Sequence, residues 1–339
     1  MDLRMDRSTA IVITSINAPT RAVVDIAEGC KTTGARFIVI GDEKSPKDFA
    51  LDGCDYFDID RQRASGLSFA EACPTRHYAR KNIGYLIAIR DGATQIVETD
   101  DDNIPSAPFW EPRSETMSGG AVNGADWVNV YRYFTKELIW PRGLDLDAVK
   151  RPTPELAPAT DVFCPIQQGL ADGDPDVDAI FRLILPLPLT FDQREPVILG
   201  DGSWCPFNSQ NTTWIACAFP LLYLPYHCSF RMTDIWRGYV AQRIAWANGW
   251  SLGFHNATVF QDRNEHNIMR DFSEEVVGYL NNEKITRTLA ALDLAAGEDK
   301  IPDNLRQCYR ALVDLGVVGA EELPLLELWL ADLAAITAA

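Results

Sequence analysis

The sequence predicts an α/β protein built on a mixed central sheet, and three observations carry that reading. A strand, a helix and a second strand fit within about 30 residues near the N-terminus, the economy of a parallel βαβ unit. A later apolar strand runs directly into three consecutive aspartates. Beyond residue 273 the pattern becomes helical throughout.

Each element follows from local chemistry. Residues 11–16, Ile-Val-Ile-Thr-Ser-Ile, read as a core strand, and Thr20 is placed to cap a helix over 21–32 with Val23, Val24, Ile26 and Ala27 inward. Phe37-Ile38-Val39-Ile40 makes the second strand and ends at Gly41-Asp42. A short strand is expected at 55–59. Thr75 then precedes a helix over 76–90, with Ala79, Ile83, Leu86 and Ile87 on its inner side and Gly92 as its stop. The strand 95–99 leads into Asp100-Asp101-Asp102. From about 104 to 210 the chain is rich in proline and glycine. Long ordered loops are expected there, with short strands at 126–131 and 196–199 and a helix over 176–185. After 210 come apolar runs at 213–219 and 221–224, a helix over 234–248 ended by Gly249, and a core strand at 252–260. Helices are expected at 273–281, 284–296, 302–315 and 322–337.

Composition narrows the function. Of 339 residues, 47% are apolar and 23% charged, which suits a folded protein and excludes disorder. A formal charge of -17 argues against nonspecific nucleic-acid binding and against docking on an anionic membrane. No apolar run is long enough to span a bilayer, and the first residues lack a signal-peptide core. The expected location is cytoplasmic, with membrane association only through a partner. The eight cysteines are scattered without a CxxC, so free thiols are expected rather than a zinc knuckle or disulfide scaffold.

The triple aspartate is the most informative motif. Like charges at a strand end repel one another unless a cation joins them, and the carboxyl ends of strands are where open α/β sheets bind ligands. Alternation directs Asp100 and Asp102 to one side, where hard oxygens suit Mn²⁺ or Mg²⁺ carrying a nucleotide diphosphate, and Asp101 elsewhere. A solvated turn is the competing reading. Asp42 is placed to meet a base or ribose, and Lys44, Arg76, Arg80 and Lys81 to approach phosphate, with Arg76 and Arg80 sharing a helix face. His255 is the candidate third metal ligand; Arg263 and His266 belong to a loop that closes on phosphates. Asp234, at a helix start, is the candidate base for an acceptor hydroxyl, and also a plain cap. Trp236 and Arg237 beside it offer a sugar-stacking surface and an anion partner. Asp172, Asp174 and Asp176 form a second acidic group for sugar hydroxyls, and Trp204, Phe207, Asn208, Gln210 and Asn211 are candidates for acceptor recognition.

Taken together, Ile13-Thr14-Ser15-Ile16-Asn17-Ala18-Pro19-Thr20, Val39-Ile40-Gly41-Asp42-Glu43-Lys44, Glu98-Thr99-Asp100-Asp101-Asp102-Asn103, Pro206-Phe207-Asn208-Ser209-Gln210-Asn211 and Thr233-Asp234-Ile235-Trp236-Arg237-Gly238-Tyr239 resemble the STELLO-like glycosyltransferase family over roughly 10–280. A more distant likeness runs to reversibly glycosylated polypeptides, some of them UDP-arabinopyranose mutases. The resemblance implies a GT-A-type, Rossmann-like nucleotide-sugar fold over 8–272, with a donor half about 8–125 and an acceptor half about 126–272, followed by a helical extension over 273–339. It implies Asp100, Asp102 and His255 as ligands of Mn²⁺ or Mg²⁺, Asp101 among the donor contacts, and Asp234 as the acidic residue near the acceptor. The implied activity is inverting transfer from a nucleoside-diphosphate sugar, UDP-sugar favoured, to a sugar, glycolipid or other hydroxyl acceptor in polysaccharide or glycolipid biosynthesis. The C-terminal helices are left for contact with a membrane partner or a second subunit. A nucleotide-sugar mutase, a noncatalytic glycan-assembly protein and a nucleotidyltransferase are the alternatives.

Overall fold

In the computed structural model the described residues are Met5, 8–264 and 267–338. The strands are β1 (Thr9–Thr14), β2 (Arg36–Ile40), β3 (Asp55–Phe57), β4 (Gln95–Thr99), β5 (Asn103–Pro105), β6 (Thr116–Val122), β7 (Asp126–Trp127), β8 (Ala157–Phe163), β9 (Ile166–Gly173), β10 (Val197–Leu199), β11 (Ser203–Trp204), β12 (Asn211–Ile215) and β13 (Leu252–Gln261). The α-helices are α1 (Arg21–Thr33), α2 (Ile59–Arg63), α3 (Ser68–Ala72), α4 (Lys81–Arg90), α5 (Tyr131–Phe134), α6 (Ala179–Ile184), α7 (Thr233–Ala247), α8 (Ile268–Ala290), α9 (Ile301–Asp314) and α10 (Glu322–Thr337).

An 11-stranded mixed sheet runs β3-β2-β1-β4-β12-β9-β13-β10-β6-β8, with β5 added beside β13. The first four are mutually parallel, the βαβ arrangement expected from the N-terminal pattern. Alternation along β1 sends Ile11 and Ile13 into a core shared with Val23, Ile26 and Ala27 of α1. Ala10 and Val12 face the other layer, where Ile83 and Leu86 of α4 meet the C-terminal helices in one continuous core. Thr20 caps α1, its hydroxyl accepting from the Val23 N–H at 3.2 Å.

The middle of the chain holds more sheet than its composition suggested. β6, β8 and β9 replace expected loops, and β7 is shorter than the strand expected at 126–131. β9 reads as loop because Gln167 and Gln168 are polar, yet both are buried. The Gln168 amide donates to the Asn211 carbonyl at 3.2 Å and accepts from Asn208 N–H at 3.0 Å and the Thr212 hydroxyl at 2.9 Å. Such side chains satisfy buried backbone groups as apolar residues cannot. The helices expected at 273–281 and 284–296 are one helix, α8, while α9 and α10 stand where expected. Asp332 of α10 accepts from the N–H groups of Ser68 and Phe69 at 3.1 and 2.8 Å, tying the last helix to α3. The eight cysteines are free thiols, and among the described residues no helix is long and apolar enough to cross a membrane.

Candidate active site

Strand register gathers the site. Asn211 at the start of β12 pairs with Thr99 at the end of β4, and Gln261 at the end of β13 pairs with both Asn103 and Gly173. The carboxyl ends of β4, β9 and β13 and the segment entering β12 therefore converge on one edge. There they enclose a cavity of about 240 Å³ containing Asp100, Asp101, Asp102 and Asp234. The triple aspartate and the candidate base, 132 positions apart by residue number, share one pocket.

The three aspartates diverge. Asp100, with its side chain 39% exposed into the cavity, receives the fully buried ammonium of Lys81 at 3.0 Å; Lys81 also donates to the carbonyls of Thr99 at 2.8 Å and Ser209 at 3.2 Å. Although open to the cavity, Asp100 is surrounded by protein. That burial, with Asp102 and Asp101 beside it, pushes its carboxyl up to about 7 against the pull of Lys81. Asp101 accepts from the Ser15 hydroxyl at 2.5 Å, Asn17 at 3.0 Å and Asn264 at 3.3 Å. Asp102 accepts from Gln261 at 3.2 Å and the Asn264 N–H at 3.3 Å, and burial raises its carboxyl.

The opposite wall centres on Arg142, which the sequence reading did not single out. Its guanidinium donates to Asp176 twice at 2.8 Å and to Asp234 twice at 3.1 Å. Asp234 also accepts from the Tyr78 hydroxyl and the Ser209 N–H, each at 3.1 Å. Burial favours the neutral acid, but Arg142 outweighs it and holds the Asp234 carboxyl well below the usual carboxylate range. Asp234 thus lines the cavity as a carboxylate whose basicity is suppressed by the ion pair. No spacing rule joins residues 142, 176 and 234, so the network emerges only from the fold.

Several expected donor contacts lie elsewhere. Arg76 adopts a left-handed φ of 64° and pairs with Glu43 at 2.6 Å; it is not helical, because α4 starts at Lys81 behind a short 3-10 turn. Arg80 is buried, donating to Gln62 at 2.8 Å and the Cys73 carbonyl at 2.6 Å, so the two arginines share no face. Lys81 neutralises Asp100 instead of standing free for phosphate. Asp42 accepts from the His77 N–H at 3.0 Å, and neither it nor Lys44 lines the cavity. His255 lies six positions before Gln261, outside the cavity lining, with Nδ1 3.0 Å from the Asn256 carbonyl; burial pushes its imidazole down to about 3. It does not join Asp100 and Asp102, and no three His, Cys, Asp or Glu side chains form a metal cage among the described residues. Arg263 does line the cavity, 3.1 Å from Asp271, and burial with Arg182 and Arg231 nearby pushes it down to about 10. His266 lies outside the described residues.

The expected stacking residues are also structural. Trp236 is fully buried, donating to Asn282 at 3.0 Å, and Arg237 is buried against Glu98 at 2.8 Å. Trp204 and Phe207 are buried too. Asp172 accepts from the Phe191 N–H at 2.9 Å, Asp174 pairs with Arg182, and Asp176 holds Arg142 and Asn208.

A large mixed sheet, parallel at its N-terminal edge, with C-terminal helices and an acidic pocket at its strand ends defines an α/β, Rossmann-like class of fold. Residues 231–338 match the model of a family described as STELLO glycosyltransferases. The chain is 28% identical over 341 residues to "Probable glycosyltransferase STELLO2" of Arabidopsis thaliana, covering 92% of this chain and 42% of that one. It is 28% identical over 360 residues to "Probable glycosyltransferase STELLO1" of the same plant, covering 96% and 44%. The chain is thus similar to this family through its C-terminal third and, at 28% identity, to these two relatives along most of its length; it spans less than half of theirs. The family match reaches α8–α10, beyond the limit near 280 that the motifs suggested. A solved structure, "Crystal Structure of a Mycobacterial Protein", is similar with a TM-score of 0.42 and 10% identity, covering 83% of this chain and 75% of that one; so remote a likeness carries no weight.

Proposed function

We propose that this chain is a metal-dependent glycosyltransferase that moves a sugar from a nucleoside-diphosphate sugar, UDP-sugar in preference, to a hydroxyl acceptor. The observation that carries the reading is the single cavity shared by Asp100, Asp102, Asp234, Arg231 and Arg263. Its acidic floor suits a divalent cation, and of its three arginines Arg231 and Arg263, paired with Glu275 and Asp271, are the ones that would turn to the phosphates of the same donor. Two carboxylates are a sufficient protein share for Mg²⁺ or Mn²⁺, whose other ligands are phosphate oxygens and water. Asp100 and Asp102 would hold the ion, which when bound offsets negative charge on the departing diphosphate.

Asp234 is the proposed proton acceptor. Arg142 is held more closely by Asp176, at 2.8 Å, than by Asp234, at 3.1 Å. An acceptor hydroxyl entering between Asp234 and Arg142 would leave the arginine with Asp176 and restore basicity to Asp234. Residues 8–125 would then hold most of the donor and 126–272 the acceptor, with Arg231 and Arg263 of the second half reaching the donor's phosphates and 273–339 as a helical extension open to a membrane partner or second subunit. The setting we infer is cytoplasmic polysaccharide or glycolipid synthesis.

The test is release of nucleoside diphosphate from a panel of UDP- and GDP-sugars with Mn²⁺ or Mg²⁺. Asp102→Asn and Asp234→Asn should each reduce turnover by about 100-fold or more. Pyrophosphate release would indicate nucleotidyl transfer, and acceptor-free ring interconversion a mutase. Donor binding without turnover would indicate an assembly role.

A further inference from the structure

The cavity is polar almost throughout, and Phe230 is its exception. Among the described lining residues it is the one wholly apolar side chain, and it is 43% exposed. Its ring is fixed in place: Tyr78 lies edge-on at 4.9 Å and 74°, and His77 at 4.8 Å and 66°. The Tyr78 hydroxyl is 3.2 Å from the Phe230 carbonyl and 3.1 Å from Asp234 Oδ1, so one side chain ties the aromatic surface to the carboxylate. Exposed apolar surface is unfavourable in water, and among the described residues this side chain keeps 43% of its surface exposed while it lines the cavity.

We propose that Phe230 is the acceptor platform, taking the C–H face of a pyranose ring while one of that sugar's hydroxyls is directed at Asp234. The inference rests on the transferase reading and names its acceptor class, a saccharide. A polyprenyl or acyl chain would need a continuous apolar track. Around Phe230 the cavity instead presents Arg142, Arg231, Asp234 and the Tyr78 hydroxyl. A pyranose has one apolar face and a polar rim, which matches a single aromatic ring encircled by hydrogen-bonding groups.

Saturation-transfer NMR with methyl β-D-glucopyranoside and methyl β-D-galactopyranoside tests this, with and without UDP plus Mn²⁺. The wild-type chain should transfer saturation most strongly to the axial C–H protons of one sugar face. Phe230→Trp should retain the signal, and Phe230→Leu should weaken binding about tenfold. Leu280→Ala, at a 75% exposed position on α8, should bind as wild type. Thermal melting by circular dichroism establishes that each variant is folded. Equal binding by wild type and Phe230→Leu overturns the proposal, as does absence of transfer to both glycosides. Transfer only to a farnesyl phosphate probe overturns it in favour of a lipid. Donor hydrolysis is read separately on the wild type. If hydrolysis is absent while the glycosides behave as expected, the transferase reading fails and the platform stands. If hydrolysis is present and Phe230→Leu binds normally, the platform alone fails.

Discussion

Replacing Arg142 with methionine removes the one cation between two buried carboxylates while keeping most of the side chain's bulk. The guanidinium makes four charge-assisted contacts, two at 2.8 Å and two at 3.1 Å, with every partner's side chain at most 9% exposed. Breaking a buried pair from one side costs about 3–5 kcal/mol. An independent bound comes from protonation. A stranded carboxylate can escape by taking up a proton, which from an ordinary value of 3.8 costs about 4 kcal/mol at pH 7 and about 2 kcal/mol at pH 5. The two figures agree, so Arg142→Met should lose about 4 kcal/mol at pH 7 and about half of that at pH 5. The sign follows from Asp234. In the wild type its folded value is depressed, so its contribution is complete above 3.8 and lost only as pH falls through the lower folded value. In the variant the folded value is raised instead, and the penalty grows as pH rises above 3.8. Urea unfolding at the two pH values measures the difference, and the triple variant Arg142→Met, Asp176→Asn, Asp234→Asn should regain most of the loss. A loss below about 1 kcal/mol, or one identical at both pH values, refutes the network as described.

Three further outcomes follow. Asp100→Asn and Asp102→Asn should abolish Mn²⁺-dependent binding of UDP-sugar in calorimetry. Asp101→Asn should chiefly lower the melting temperature, because Asp101 ties Ser15, Asn17 and Asn264; equal loss of binding in all three would contradict that division. Burial pushes the His77 imidazole down to about 4 and that of His255 to about 3. Each should therefore contribute stability that is whole above 6.5 and falls by about 3 kcal/mol as pH drops to 4, and a flat urea profile over that window would count against both. Asp332→Ala removes two acceptors at the start of α3 and should cost about 1–2 kcal/mol in urea unfolding, with no cost if α10 is held by apolar contacts alone.

What the sequence made legible is what local periodicity and end signals encode. β1, α1, β2, β4, α7, β13 and α10 all stand within a residue or two of their expected places, and Thr20 caps as foreseen. The polar strand β9 was hidden because its glutamines are buried for hydrogen bonding rather than for apolar area. At the site, the triple aspartate and Asp234 were legible as charge at element ends. Arg142 was not, because it lies in a loop and acquires its meaning from partners 34 and 92 positions away. Trp236 misled because proximity in sequence to Asp234 is not proximity in the cavity: on α7 it turns inward, while Phe230, in the short 3-10 turn just before α7, remains exposed.

Clustered like charges in a sequence therefore signal a ligand only where the fold withholds the counter-charge. Asp172, Asp174 and Asp176 looked as suggestive as the triple aspartate, yet each is answered from within, by the Phe191 N–H, Arg182 and Arg142 respectively. Arg76 and Arg80 are likewise satisfied, one by Glu43 and the other by Gln62 and a backbone carbonyl. Asp100, Asp101 and Asp102 differ. One buried lysine reaches Asp100, and the remaining contacts named above come from neutral groups, Ser15, Asn17, Gln261 and Asn264. Neutral donors orient a carboxylate but do not cancel its charge, and the raised carboxyls of Asp100 and Asp102 record burial and a crowding of acids that Lys81 and the nearby Arg263 only partly offset. That cluster faces a cavity also lined by Arg231 and Arg263. Both are themselves paired, with Glu275 at 3.0 Å and Asp271 at 3.1 Å, so the acidic cluster and not the arginines is the stronger sign of a ligand.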